Sequence, residues 1–344
     1  MSETIHPILT TTAGVALRTF LGPLAPLLAR PEINEVSVNR PGEVFVDNAG
    51  TIERLNVPQL NHEHLLRLAS LIAYETHQVV DETRPLLSAW LPSGQRVQIV
   101  MPPACEAGTV VMSFRRQAER QYTLEDYEQQ GMFEAVEVVQ DDAISLEDLE
   151  LRSLLVAQRI KDFLRRAVRS RKNIVVSGST NSGKTTFINT LLREVPQDER
   201  LLTIEDVREL RVNAPNTAHL LASKGGQGVA KVTIQDLLEA CLRLRPDRII
   251  LGELRGAEAS SFLHAVNSGH PGSLTSVHAD SPGLAFERLA LMVMQGNVSL
   301  SREQILAYLR GVVDIVVQVR KIGGRRKVAG VYYKHAQRTE FACE

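Results

Sequence analysis

The chain has little cysteine, few aromatic residues, no excess of either charge and no long apolar run, and each shortage removes a class of protein. Its three cysteines, Cys105, Cys241 and Cys343, stand far apart without a CxxC or CxxH pair. That leaves neither a zinc framework nor a disulfide scaffold, and a reducing cytoplasm fits best. Aromatic residues make up 5% of the chain, and 39 Lys plus Arg stand against 40 Asp plus Glu. This balance argues against a basic, aromatic-lined channel, so no direct sequence-specific nucleic-acid binding is expected. It argues equally against a general coating of an anionic membrane. No segment approaches the roughly 18 to 20 apolar residues of a membrane span, and the opening MSETIHPILTTTAG lacks a basic region followed by an apolar core. The expectation is a cytoplasmic protein, soluble or peripherally attached to a membrane.

At 344 residues the chain is long enough for two hydrophobic cores. Gly14 to Arg30 has helical apolar spacing interrupted by Pro23 and Pro26. EVSVNRPGEVFVDNAGTIERLNV then alternates apolar and polar residues, with turns at Arg40-Pro41-Gly42 and Asn48-Ala49-Gly50, which predicts an antiparallel meander. NHEHLLRLASLIAYETHQVV predicts a helix, and PLLSAWL and QRVQIVM predict strands around a turn at Pro92-Ser93-Gly94. These elements form a smaller α+β N-terminal domain, with strands ending near Arg116 and the domain running over residues 1–133. Residues 134–150, EAVEVVQDDAISLEDLE, are acidic and without strong period, and predict a linker into a helix over Leu151 to Arg169. Over 151–344 the short branched-apolar runs NIVVSG, LLTIED, RIILGE and SLTSVHAD alternate with helical stretches, as in a mostly parallel α/β sheet buried on both faces. SKGGQG, Ser223 to Gly228, predicts a mobile surface loop.

GSTNSGKTT sits between an apolar strand and a helix. A phosphate chain needs several donors converging on a small volume, and a glycine-rich turn at a helix N-terminus supplies them as backbone N–H groups. Within GxxxxGK[ST], Gly178 and Gly183 permit the tight path, Lys184 reaches the β- and γ-phosphates, and Thr185 can ligate Mg²⁺. Ser179, Thr180, Asn181, Ser182 and Thr186 complete the loop. Asn181 stands where many such loops carry glycine; asparagine tolerates left-handed backbone, so the path should survive.

Glu253 in RIILGELRGAEA follows an apolar strand and could polarise an attacking water, though a surface glutamate at a strand end is the bland alternative. LLTIEDVREL offers Glu205, Asp206 and Glu209 to hold water around Mg²⁺, with Glu205 better placed and Glu209 equally readable as a solvated helix residue. SGHPGSLTSVHAD contains His270 and His278, either of which can be structural or functional; a zinc pair is disfavoured because no cysteine lies nearby.

GSTNSGKTT, TIEDVREL, LRLRPDRIILGELRGAEA and SGHPGSLTSVHA resemble, in order and spacing, the Walker A, Asp box, Walker B and His box of the secretion NTPase superfamily. Within it they are most similar to the hexameric traffic ATPases of type IV secretion systems, and EVSVNRPGEVFV, RPLLSAWLPSGQRVQIVMPPAC and TLEDYEQQGMF resemble that subfamily's N-terminal domain. The resemblance implies a RecA-like P-loop C-terminal domain, a homo-hexameric ring, and ATP with Mg²⁺ bound between the two domains. It also implies a peripheral place on the cytoplasmic face of the inner membrane, among other inner-membrane and ATPase components of the secretion system. By the same resemblance Glu253 is the catalytic carboxylate, Glu205 and Glu209 are Asp-box groups, and His270 and His278 support the γ-phosphate. Arg115 becomes the N-terminal-domain arginine that reaches the nucleotide. Gly252 stands where many other ATPases have an aspartate, which puts more of the metal holding on Thr185 and the Asp box. A pilus or type II secretion ATPase, a nucleic-acid translocase and a non-catalytic scaffold remain as alternatives; pilus-extension and type II secretion ATPases usually carry a tetracysteine zinc module, which is absent here.

Overall fold

The computed structural model describes residues 12–48, 50–116, 123–136, 144–223, 228–296 and 298–336. The expected loop residues Lys224 to Gln227, the turn residue Ala49 and residues 137–143 of the acidic stretch lie outside them. Chain order begins with helices α1 (Thr12–Leu21) and α2 (Ala25–Leu28), then strands β1 (Ile33–Arg40), β2 (Glu43–Asn48) and β3 (Thr51–Asn56). Helix α3 (His62–Glu75) follows, then β4 (Leu86–Trp90), β5 (Arg96–Val100) and β6 (Val111–Arg115). These strands make one antiparallel sheet of order β3-β2-β1-β6-β5-β4, which contains the expected meander and hairpin.

Strand alternation divides this sheet into two different faces. Val36, Val38, Val44, Val46, Val97, Ile99, Met112 and Phe114 pack with α1 and α3 into one core. The opposite face carries the buried polar residues Glu35, Ser37, Asn39, Gln98 and Ser113. Ser113 donates to Glu35 at 2.7 Å, and Asn39 donates across to Asn216 of the second domain at 2.9 Å. That face is polar because it meets the second domain.

Helices α4 (Leu124–Gln129), α5 (Leu146–Val156) and α6 (Ile160–Arg169) lead to β7 (Ile174–Ser177) and α7 (Lys184–Leu192). Helix α5 starts inside the stretch expected to be linker, because Ser145 caps it, accepting from the Asp148 amide at 3.1 Å. Then come β8 (Leu201–Glu205), β9 (Thr217–Leu221), α8 (Ile234–Leu244), β10 (Arg248–Leu251), α9 (Glu258–Asn267) and β11 (Leu274–Val277). Helices α10 (Pro282–Met294) and α11 (Arg302–Val312) precede β12 (Ile315–Ile322) and β13 (Arg325–Tyr333). The second sheet has order β13-β12-β7-β11-β10-β8-β9, parallel throughout except for the edge strand β13. One core, including residues of α8 to α11, covers one face, and a second, including residues of α5, α6 and α7, covers the other. This is the RecA-like arrangement that the resemblance implies. In parallel sheets of this kind, ligands sit at the carboxyl ends of the strands.

Candidate nucleotide-binding site

The phosphate loop runs from the end of β7 into α7 on a path that only small or left-handed residues can follow. A β-carbon on Gly178 would stand 2.5 Å from the Val319 carbonyl oxygen and 2.5 Å from Ser182 Oγ, so Gly178 admits the neighbouring strand. Gly183 has φ of +95° and is the N-cap of α7, without a side-chain cap. Asn181 takes φ of +61°, so it adopts the left-handed backbone that its side chain tolerates. The first turn of α7 therefore presents N–H groups of Lys184, Thr185 and Thr186 that have no intrahelical acceptor, at the positive end of the helix dipole. Ser182 Oγ, buried in the loop, has no hydrogen-bond partner among the described residues.

Lys184 is 8% exposed. Its ammonium donates to the Gly178 carbonyl at 3.1 Å and lies 3.2 Å from His278 Nδ1. His278, just past β11, places Nε2 2.6 Å from Glu253 Oε1. Lys184 Nζ is also 3.4 Å from His278 Nε2, and Glu253 Oε1, close as it is to the imidazole, makes no hydrogen bond among the described residues, so three groups from the ends of β7, β10 and β11 stand in close contact as one chain. Arg255 donates to Glu253 Oε2 at 2.7 Å and also pairs with Asp206. Burial lowers the Lys184 pKa below its usual value, against the opposing pull of the Glu253 carboxylate. These residues line a cavity of about 410 Å³ together with Thr180 to Thr186, Glu205, Glu209 and Arg326.

Glu205 is 5% exposed at the end of β8. Its Oε1 accepts the Glu209 and Leu210 amides, each at 2.7 Å, which fixes the turn after the strand. Arg208 lies 3.5 Å from Glu205 Oε2 and donates to His219 Nε2 at 2.7 Å. That leaves His219 Nδ1–H for Thr203 Oγ1, 2.8 Å away. Burial, with the Arg208 charge, pulls the His219 pKa down to about 4, so the ring is neutral at pH 7. Glu205 thus shapes the Asp-box turn with one oxygen, while Glu209 is exposed at the cavity edge.

The structure does not bring all the expected residues together. His270 precedes β11 while His278 follows it, so the strand carries the two imidazoles to opposite ends of the sheet. His270 Nδ1–H donates to the Pro246 carbonyl at 2.7 Å, and the ring lines a separate cavity of about 320 Å³ with Glu35, Arg200 and Arg245. Arg115 ends β6, in register with Glu35 and Arg96, exposed and outside the phosphate-loop cavity of its own chain. Sequence reasoning passed over Arg255, Arg208, His219 and Arg326. The signal for the first two was available, since they stand two residues beyond Glu253 and three beyond Glu205; His219 and Arg326 arrive only through strand pairing.

Residues 19–331 match the family described as type II/IV secretion system protein. The type IV secretion system protein VirB11 of Brucella suis is 46% identical over 321 residues, covering 91% of this chain and 89% of that protein. The type IV secretion system protein PtlH of Bordetella pertussis is 40% identical over 332 residues, covering 90% and 93%. Among solved structures, the VirB11 ATPase of the Brucella suis type IV secretion system, in complex with sulphate, superposes with a TM-score of 0.87 at 46% identity, over 92% of this chain and 97% of that one.

Proposed function

The chain belongs to the family of type II/IV secretion system proteins and is an ATPase of the type IV secretion class, and we propose that it hydrolyses ATP within a homo-hexameric ring to power pilus assembly and substrate export. The observation that carries this reading is the Lys184–His278–Glu253 chain at the mouth of a phosphate loop. Lys184 turns from the loop carbonyls to the β- and γ-phosphates, the α7 amides hold the remaining phosphate oxygens, and Glu253 polarises the attacking water. His278 gives up its contact with Lys184 to the γ-phosphate and keeps Glu253 oriented. Thr185, Glu205 and Glu209 line the same cavity, and together they would hold Mg²⁺, the carboxylates partly through water. When bound, that ion neutralises charge on the phosphates.

Because Arg115 lies outside its own chain's cavity, it serves a nucleotide in a ring only by reaching a neighbouring subunit. Within the chain the N-terminal domain touches the site by another route: Arg208, beside Glu205, pairs with Glu106 at 2.9 Å. That pair couples the Asp-box turn to domain motion. Among the described residues no helix is long and apolar enough to cross a membrane; attachment is peripheral, at the inner-membrane face.

Lys184→Ala removes the loop's fixed charge, so ATP turnover should fall to background with the melting curve unchanged. Normal turnover by the purified variant sinks the assignment of this loop. Sedimentation with a non-hydrolysable ATP analogue should show the hexamer favoured, since binding to a closed ring shifts assembly by mass action.

A further inference from the structure

Strand order puts two kinds of side chain on opposite sides of the phosphate loop. On one side of β7, at the ends of β11, β10 and β8, stand His278, Glu253 and Glu205. On the other side, β12 and β13 turn at Gly323-Gly324 and carry Arg320, Lys321, Arg325, Arg326 and Lys327. Of these five, Arg326 lines the cavity. Its side chain runs across Gly183: a β-carbon there would stand 2.6 Å from Arg326 Cδ, 2.8 Å from Nε and 3.4 Å from Cζ.

The guanidinium therefore lies against the N-terminus of α7, and among the described residues it makes no hydrogen bond or ion pair. A cation at the positive end of a helix is unfavourable by itself and becomes favourable when an anion lies between the two. The terminal phosphate is drawn toward Lys184 and His278, on the side of the loop where Glu253 stands. Arg326, across Gly183, is then the cation on the flank of the same cavity that Thr185 and Thr186 line, opposite Glu253.

We propose that Arg326 is a nucleotide-positioning residue that pairs with the α-phosphate, away from the bond that breaks. The proposal rests on the nucleotide-site reading above. Such a contact is the same in ground and transition states, so it sets affinity for ATP and ADP alike and leaves the chemical step alone. It also gives Gly183 a second reason to be glycine, because any side chain there would displace the guanidinium.

The test compares Arg326→Ala, Arg326→Lys and Lys184→Ala by binding of ADP and of a non-hydrolysable ATP analogue, with KM and kcat measured separately. Expected for Arg326→Ala is about a tenfold weakening for both nucleotides, in line with a charge-assisted hydrogen bond. KM should rise to match, with kcat within about twofold and an unchanged melting curve; Arg326→Lys should recover part of the affinity. Unchanged affinity for both nucleotides, with binding lost in Lys184→Ala, overturns the role of Arg326 and leaves the site standing. A loss confined to the ATP analogue, with kcat falling, overturns it too, by placing the arginine at the γ-phosphate. Normal binding and turnover in Lys184→Ala would remove the nucleotide site itself.

Discussion

Both ends of the seven-stranded sheet carry clusters of ionisable side chains, yet only one of them is arranged to do chemistry. At the amino end, Arg248 is wholly buried and pairs with Glu199, donating to its Oε1 at 2.9 Å and to the Val168 carbonyl at 2.7 Å. Arg171 bridges Glu199 and Asp247, each at 3.1 Å, and Arg245 meets Asp47 of the first sheet at 2.7 Å. There Arg248, Glu199, Arg171 and Asp247 are paired with one another and tie the strand starts together, while Glu35 Oε2 and Arg200 Nη2, at the domain junction beside them, make no hydrogen bond among the described residues. At the carboxyl end, Lys184 rests on carbonyls and an imidazole, the first turn of α7 lines the cavity without a side-chain cap, and an arginine lies across the loop without an acid. Neither charge density nor leftover valence alone marks an end as a site; what marks the carboxyl end is that its unpaired groups stand at the mouth of a phosphate loop and a helix N-terminus.

The comparison breaks most visibly at Arg248. Replacing it with alanine leaves Glu199 buried without its main partner, a change that costs about 3 to 5 kcal/mol. Arg248→Ala should therefore lower the denaturant midpoint sharply, or prevent folding outright. The milder Glu199→Gln variant should lose stability while keeping kcat. A fall in kcat greater than the loss of folded protein would show that the amino end takes part in catalysis.

The mirror experiment is Glu253→Gln at the carboxyl end. It keeps shape and hydrogen bonding but removes the base, so turnover should drop about a hundredfold, roughly 2.7 kcal/mol of barrier, while nucleotide still binds. Here activity falls and stability does not. A Gln variant with parental turnover would move the base elsewhere, Glu205 being next in line.

The two histidines of SGHPGSLTSVHAD sharpen the contrast within a single strand. His278→Ala removes the link between Lys184 and Glu253 and should cut kcat about thirtyfold, or about 2 kcal/mol, the size of one hydrogen bond to a charged group. His270→Ala loses the bond to the Pro246 carbonyl and should shift the melting midpoint slightly with kcat unchanged. Equal kinetic losses in both would mean that the ends of β11 are coupled through the ring.

This pair also shows what could be read before the structure was known. Composition and spacing located the phosphate loop, the four parallel strands and the carboxylates beyond them, because glycine, lysine and branched-apolar runs have strict local requirements. Seven residues lie between the two histidines, and no local rule says how many of them the strand occupies. Strand β11 takes Leu274 to Val277 and so carries the imidazoles apart. Glu205 was correctly placed at a strand end, but the capture of its Oε1 by two backbone amides depends on how the following turn folds back. The β12–β13 hairpin went unassigned because most of β13 is exposed on the sheet edge and has no apolar period, although Gly323-Gly324 is the dipeptide expected at a two-residue turn. Arg326 was hidden with it.

The smallest effect tests whether the amino end owes its order to charge. Asp148, on α5, receives Lys172 Nζ at 2.5 Å, the Tyr333 hydroxyl at 2.8 Å and the Ser145 hydroxyl at 2.8 Å, joining α5 to the start of β7 and the end of β13. Burial alone would raise its pKa, but these donors win and hold the carboxyl down to about 2. A carboxylate with a depressed folded pKa stabilises the native state above the ordinary aspartate range and loses that contribution as pH falls toward the folded value. After solvent contact is allowed for, that contribution is on the order of 1 to 2 kcal/mol. Asp148→Asn should therefore unfold at lower urea than the parent at pH 7, and the gap should close steadily between about pH 4 and pH 2. The variant's turnover per folded molecule should match the parent throughout. If the gap stayed constant with pH, packing of Tyr333 rather than ionic pairing would hold α5 in place, and the amino end would be a core contact that merely carries charges.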